Sequence, residues 1–191
     1  TNTDALVAAS KGALTGTWIV SDRQTAGRGR SNRAWISLEG NLHASIILRH
    51  LHPLHKISEL SLVAGIALHH SVLEILSGQK ASQIELKWPN DLLIHRKKVG
   101  GILVESSSDR LQDGATAVIG FGLNLRSHPE VPDQKTTSLY EYGLIIEPWD
   151  FLKLLDHSLY SWIAVWSEDE GMSRIRNEWM TSSIPTGTPI T

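Results

Sequence analysis

Periodicity and turn spacing predict an α+β fold: a mixed, mostly antiparallel sheet with helices packed on it. Apolar residues recur every three to four positions over Ile57 to Leu76 and again from Phe151 to Trp166, the spacing of helix faces. Between them, short runs of β-formers are separated by turn residues, and strands and helices do not alternate as a βαβ repeat would require. At 191 residues with 41% hydrophobic composition, the chain suffices for one domain with a core.

In chain order, Asp4 to Ala13 reads as a short helix and Thr17 to Ser21 as a strand. Leu42 to Leu48 turns from alternating to apolar, as in a strand covered on both faces. Ile57 to Leu76 is then an amphipathic helix packed on the sheet. Ile84 to Trp88 and Leu92 to His95 flank Pro89-Asn90-Asp91, a turn-rich break. Arg96-Lys97 marks a hairpin tip, after which Val99 to Ser106 and Ala117 to Leu125 form further strands. Phe151, Leu154, Leu155, Leu159, Trp162, Ile163 and Trp166 share one helix face, and Met172 to Met180 continues as helix after a break at Gly171. Trp149, Trp162, Trp166 and Trp179 are core or interface residues on this reading.

Composition excludes several classes. The chain has no cysteine, so disulfides, thiolate metal sites and a Cys nucleophile are absent. No apolar run reaches the roughly 18 to 20 residues that span a bilayer, so a membrane association is not expected. No secretory signal pattern opens the chain, which fits a cytoplasmic protein. There is no Gly-Lys-Ser/Thr phosphate loop, no Gly-x-Ser-x-Gly and no His-Glu-x-x-His, and Gly27-x-Gly29-x-x-Asn32 lacks the third glycine of a dinucleotide fingerprint. His50, His52 and His55 around Pro53, and the pair His69-His70, lack supporting acids and read as surface or helix-face residues rather than zinc ligands.

What stands out is Gln24-Thr25-Ala26-Gly27-Arg28-Gly29-Arg30-Ser31-Asn32-Arg33-Ala34-Trp35. Four of the 18 basic residues fall between Arg23 and Arg33 with no acid after Asp22, although the formal net charge is −2. Glycines 27 and 29 let backbone N–H groups turn toward an oxyanion while guanidiniums gather around it. Such a local charge indicates a phosphate or carboxylate site rather than a generally basic surface, and no nucleic-acid partner is expected. Lys87-Trp88-Pro89-Asn90-Asp91 follows, then Lys98-Val99-Gly100-Gly101-Ile102-Leu103-Val104-Glu105 and Gly120-Phe121-Gly122-Leu123-Asn124-Leu125. Lys87 ends a strand beside Trp88, and Lys98 opens one before two glycines where a backbone can approach a ligand closely. On residue grounds alone, Trp35 is a wall of the site or core, Asp91 a ligand-facing acid or a turn-former, and Asn124 a base-reading amide or a strand-end turn.

These runs, in this order, with Thr1-Asn2 similar to the end of a Ser-Thr-Asn element, closely resemble the catalytic core of biotin protein ligases. The resemblance covers residues 1 to about 125. It implies the biotin-lipoate ligase catalytic fold, akin to class II aminoacyl-tRNA synthetases, over 1–184, with 185–191 opening a small C-terminal β-domain that is otherwise missing. It also implies a two-step reaction: biotin and MgATP give biotinyl-5′-AMP and pyrophosphate, then a lysine of a biotin carboxyl carrier protein is acylated. By resemblance, Thr1, Asn2, Gln24, Arg28, Gly29, Arg30, Trp35, Lys98 and Gly101 contact biotin or biotinyl-AMP, with Arg30 and Lys98 acting in catalysis. Arg33, Lys87, Asn90, Asp91 and Asn124 would face ATP. Mg²⁺ would come with the nucleotide, near Asp91, without a dedicated protein site. A homodimer is compatible with the family. The family's Ser before Thr1 is not in this chain, which bears on biotin affinity. The neighbouring expectations are a lipoate or octanoate ligase of the same fold, or a non-catalytic biotin sensor.

Overall fold

The computed structural model describes residues 1–51, 54–76, 83–108, 114–132, 134–185 and 187–188. Strands β1 (Trp18–Val20), β2 (Leu42–Leu51), β3 (Ile84–Lys87), β4 (Asp91–Ile94), β5 (Lys97–Ser108) and β6 (Ala115–Leu123) make one sheet of order β1-β2-β6-β5-β4-β3. Every ladder in it is antiparallel. The mixed character expected from the sequence reduces to isolated parallel bridges, Leu86 with Ser183 and Lys98 with Thr136.

Side chains alternate across a strand, so each central strand serves two environments. Leu42, Ala44, Ile46 and Leu48 of β2, with Ala117, Ile119, Phe121 and Leu123 of β6, bury into the main core. Ile47 and Val118 point the other way, onto Ala5 and Ala9 of helix α1 (Asn2–Ser10). Helix α2 (Leu60–Ile75) covers the core face. It reads as amphipathic in sequence, but the structure buries it on nearly all sides. Helices α3 (Pro148–Trp166) and α4 (Gly171–Ser182) pack over its outer surface as a third layer. Phe151, Leu155, Leu159 and Ile175 are fully buried in this stack. Indole N–H donors pin it to the rest: Trp166 Nε1 to Glu59 Oε2 and Trp18 Nε1 to Asp156 Oδ1, both at 2.7 Å. Trp162 and Trp179 are partly buried against the core, whereas Trp149 is exposed.

Element boundaries shift modestly. α1 starts at Asn2 and ends at Ser10, ahead of Gly12 with φ +95°, rather than spanning Asp4 to Ala13. The hairpin tip is His95-Arg96, both with positive φ, one residue before the expected Arg96-Lys97. Asn124 and Leu125 leave β6 because the Asn124 N–H turns to the Val99 carbonyl. His52 and Pro53 of the histidine cluster lie outside the described residues. So do Pro189 and Ile190; of the segment 185–191, only 185, 187 and 188 are described.

His69 is not at the surface. It is 5% exposed, its Nε2–H donates to the Ile84 carbonyl at 3.3 Å, and its Nδ1 is buried with no partner among the described residues. Protonation would bury a second N–H⁺ without an acceptor, and burial accordingly lowers its pKa from 6.5 to about 4. A histidine held neutral in this way stabilises the fold fully above its unfolded pKa. The contribution drains away as pH falls from 6.5 toward 4, by about 3 kcal/mol if His69 acts alone. Urea unfolding at pH 7 and pH 4.5 should show a smaller pH penalty in His69→Gln than in the parent; an equal penalty would exclude His69 as the acid-sensitive group.

Candidate active site

The sheet face opposite the core forms a floor lined by small residues. On β6 the site-facing positions are Gly120 and Gly122, and on β2 they are His43 and Ser45. A Cβ on Gly120 would sit 2.2 Å from Asn2 Oδ1, and one on Gly122 would sit 2.6 Å from the Trp35 ring. The two glycines therefore make room for the two side chains laid on the sheet. Trp35 also donates from Nε1 to His43 Nδ1 at 3.4 Å, while His43 Nε2–H faces the Leu38 carbonyl at 3.2 Å. Burial lowers the His43 pKa, and this neutral tautomer satisfies both contacts. Trp35 is thus a wall of the site.

Beside it runs a chain of hydrogen bonds with few free choices of direction. Gln24 Nε2 donates to Thr1 Oγ1 (2.8 Å), Thr1 and Ser45 hydroxyls meet at 2.6 Å, and Ser45 Oγ meets Asn2 Oδ1 at 2.6 Å. Asn2 Nδ2 donates to Glu105 Oε2 at 2.8 Å and to the Leu103 carbonyl at 3.2 Å. Thr1 occupies the N-cap position of α1 but makes no side-chain capping bond. Its hydroxyl faces the floor instead.

The arginine run is a narrow hairpin. Its rungs are the Trp35 N–H on the Gly27 carbonyl (2.9 Å) and the Gly29 N–H on the Arg33 carbonyl (2.7 Å). Ser31 and Asn32 at the tip adopt left-handed conformations. The three guanidiniums, which the sequence reading gathers around one anion, line the same cavity but are not equivalent. Arg28 Nη2 lies 3.0 Å from both Glu105 oxygens and Nη1 donates to Thr3 Oγ1 at 2.8 Å. Arg30 and Arg33 are exposed and make no ion pair among the described residues.

At the other end, Lys98 Nζ lies 2.7 Å from Asp91 Oδ1, with both side chains under 20% exposed. The same ammonium sits 5.6 Å from the Trp35 ring centroid. A bulge between Leu92 and Leu93 in the β4–β5 ladder sets this corner. Lys98 is also held by its backbone, through N–H to the Lys135 carbonyl (2.8 Å) and carbonyl to the Thr137 N–H (2.9 Å). Gly101 faces Lys98 and Asp91, where a Cβ would be in ordinary contact at 3.4 to 3.5 Å. Lys87 is the cross-strand partner of Asp91. Asn90 Nδ2 donates to the Ile102 carbonyl at 2.7 Å, which stitches the turn to β5. Asn124 is buried with Nδ2 on the Thr137 carbonyl at 3.0 Å, so much of its amide serves the fold.

Every candidate residue singled out in the sequence lines one cavity of about 1270 Å³. Among its lining residues, Arg28, Arg30, Arg33, Lys87, Arg96, Lys98 and Lys135 are cationic and Asp91 alone is acidic. Such a cavity suits a ligand that carries both several negative charges and a neutral polar group. Sequence reasoning missed the roles of Ser45, His43 and Glu105. The first two are single letters in an apolar strand; Glu105 closes a run quoted above, with nothing local to mark its partners.

The model of the Biotin/lipoate A/B protein ligase family matches residues 3–124. The chain belongs to this family. Within it, a biotin–[acetyl-CoA-carboxylase] ligase of Paracoccus denitrificans is 35% identical over 196 residues, covering 100% of this chain and 80% of that protein. Among solved structures, the biotin protein ligase from Aquifex aeolicus in complex with biotin and ATP is 29% identical with a TM-score of 0.78, covering 94% of this chain and 74% of that one. The biotin protein ligase from Leishmania major in complex with biotin has a TM-score of 0.80 at 24% identity, over 99% of this chain and 79% of that chain, and bears on the fold. Among the described residues no helix is long and apolar enough to cross a membrane, and no group of three or more His, Asp or Glu could hold a metal ion.

Proposed function

We propose that this ligase-family chain activates biotin with ATP and transfers it to a lysine of a biotin carboxyl carrier domain. The observation that carries the reading is the make-up of the cavity lining: the uncharged hydrogen-bonding side chains of Thr1, Asn2 and Gln24 share one space with seven cationic side chains, among them Lys98 paired to Asp91. The floor leaves the second N–H of Gln24 Nε2 and one lone pair of Thr1 Oγ1 uncommitted among the described residues, a donor and an acceptor that match the C=O and N–H of a cyclic urea.

In the first step a biotin carboxylate oxygen bonds to the α-phosphorus of ATP, the bond from that phosphorus to the bridging oxygen breaks, and pyrophosphate leaves with the electron pair. Two anions must approach and charge grows on the leaving group, so fixed cations are what the step requires. Lys98 is set to neutralise the carboxylate and α-phosphate, and Arg30 and Arg33 to meet the phosphates. In the second step the carrier lysine's neutral ε-amine attacks the acyl carbon, AMP leaves as its phosphate, and the amine's extra proton passes to solvent. No protein nucleophile is needed. Mg²⁺ enters with ATP as part of that substrate; Asp91, held by Lys98, is the acidic group at hand there.

The test is pyrophosphate release with MgATP and biotin, run beside lipoate and octanoate. Release with biotin alone is expected; release with lipoate or octanoate would move the chain to those ligases within the same family. No release with any acid, but calorimetric biotin binding, would make it a sensor.

A further inference from the structure

We propose that Glu105 is a positioning residue that makes the biotin pocket's hydrogen-bond pattern single-valued and ties that pocket to the arginine hairpin; this rests on the biotin-ligase reading above. An ionised carboxylate only accepts, so both groups that touch it must donate. They are Asn2 Nδ2 at 2.8 Å and Arg28 Nη2 at 3.0 Å. With the Asn2 amide nitrogen committed to Glu105, supported by the Leu103 carbonyl, its Oδ1 must face Ser45. Ser45 has one proton and gives it to Asn2, so the Thr1 hydroxyl must donate to Ser45 and accept from Gln24. Each orientation follows from the one before, and the carboxylate is where the chain ends.

The same carboxylate holds Arg28 near the base of the hairpin whose tip, Ser31-Asn32, is flanked by Arg30 and Arg33. Glu105 is not among the residues lining the cavity, but Asn2 and Arg28, which it holds, are. Its influence on substrate therefore passes through Asn2 and Arg28. A neutral amide at this position could present either end, so that only the longer bond to the Leu103 carbonyl would hold Asn2 in its sense and the relay to Gln24 would be less firmly fixed.

The experiment compares Glu105→Gln, Glu105→Asp and Arg28→Met with the parent by steady-state kinetics and by backbone amide exchange at Gly29 and Trp35, whose N–H groups form the hairpin rungs. E105Q is expected to raise the KM for biotin about tenfold, the size of one charge-assisted hydrogen bond, and to raise the KM for ATP by a clearly smaller factor, through the loosened hairpin that carries Arg30 and Arg33. Exchange at Gly29 and Trp35 should accelerate in E105Q and R28M, and E105D should recover part of the biotin KM. Unchanged biotin KM in E105Q, or equal rises for biotin and ATP, would overturn the proposal. If E105Q fails to fold, R28M decides by exchange alone, and unchanged rates would overturn the tie. A parent enzyme without biotin-dependent turnover would refute the ligase reading instead, while the exchange rates would still report on the hairpin.

Discussion

Lys98→Ala is expected to slow biotin-dependent pyrophosphate release by about 10²–10³-fold, the usual cost of deleting one preorganised charge at a reacting oxygen. Lys98 is firmly held in the cavity wall. Its backbone is held on both sides by the 135–137 segment, its ammonium is 2.7 Å from Asp91, and the Trp35 ring centroid lies 5.6 Å away. Substitution also leaves Asp91 as an unpaired carboxylate beside the incoming phosphates, which adds repulsion to lost attraction. Lys98→Arg should rescue poorly, because a planar fork cannot replace a point charge in the space between Asp91 and Trp35. Rapid-quench measurement of adenylate formation, with carrier affinity measured separately, checks this. A loss below about tenfold, or an equal loss of carrier affinity, would remove Lys98 from the chemical step.

Gly120→Ala is expected to cost biotin affinity about 10²-fold and stability about 1–3 kcal/mol, the range for forcing atoms into a filled space. Its Cβ would lie 2.2 Å from Asn2 Oδ1 and 2.9 Å from Asn2 Cγ, and Asn2 is itself anchored by Ser45, Leu103 and Glu105. One methyl group therefore breaks several hydrogen bonds at once. Combining Gly120→Ala with Asn2→Ser should recover stability without recovering affinity, since space returns but the amide does not. Calorimetric titration with biotin and thermal melts of Gly120→Ala, Asn2→Ser and the double variant test this; full recovery of binding in the double variant would show that Asn2 is only a spacer.

Much of this architecture was legible in the chain. The helices announced themselves by periodicity, and the strands by β-formers between turns, because burial on one side of an element leaves a repeating pattern. The burial of α2 on nearly all sides was not legible, since its second partner, the α3–α4 layer, lies about ninety residues later. The candidate site was visible as motifs, and all of those residues do line one cavity. Their pairing was invisible. Arg28 reads like Arg30 and Arg33 until Glu105 is placed beside it, and Lys98 reads like any strand-end lysine until the bulge turns it onto Asp91. Asn124 shows the reverse: its residue type suggested ligand recognition, but tertiary contacts commit much of its amide to the backbone at Thr137. Which partner wins is a question of long-range geometry, which local sequence does not encode.

The division of labour between the two faces of β2, β5 and β6 limits how such a protein can change. A one-residue insertion within β6 would invert every position beyond it, sending Ile119 toward the cavity and the site glycines into the core. New substrate preferences can thus arise by exchanging letters at alternate positions, but not by lengthening or shortening these strands. Changes in length are expected to be tolerated in the turns between them, while the floor of the cavity keeps its fixed span.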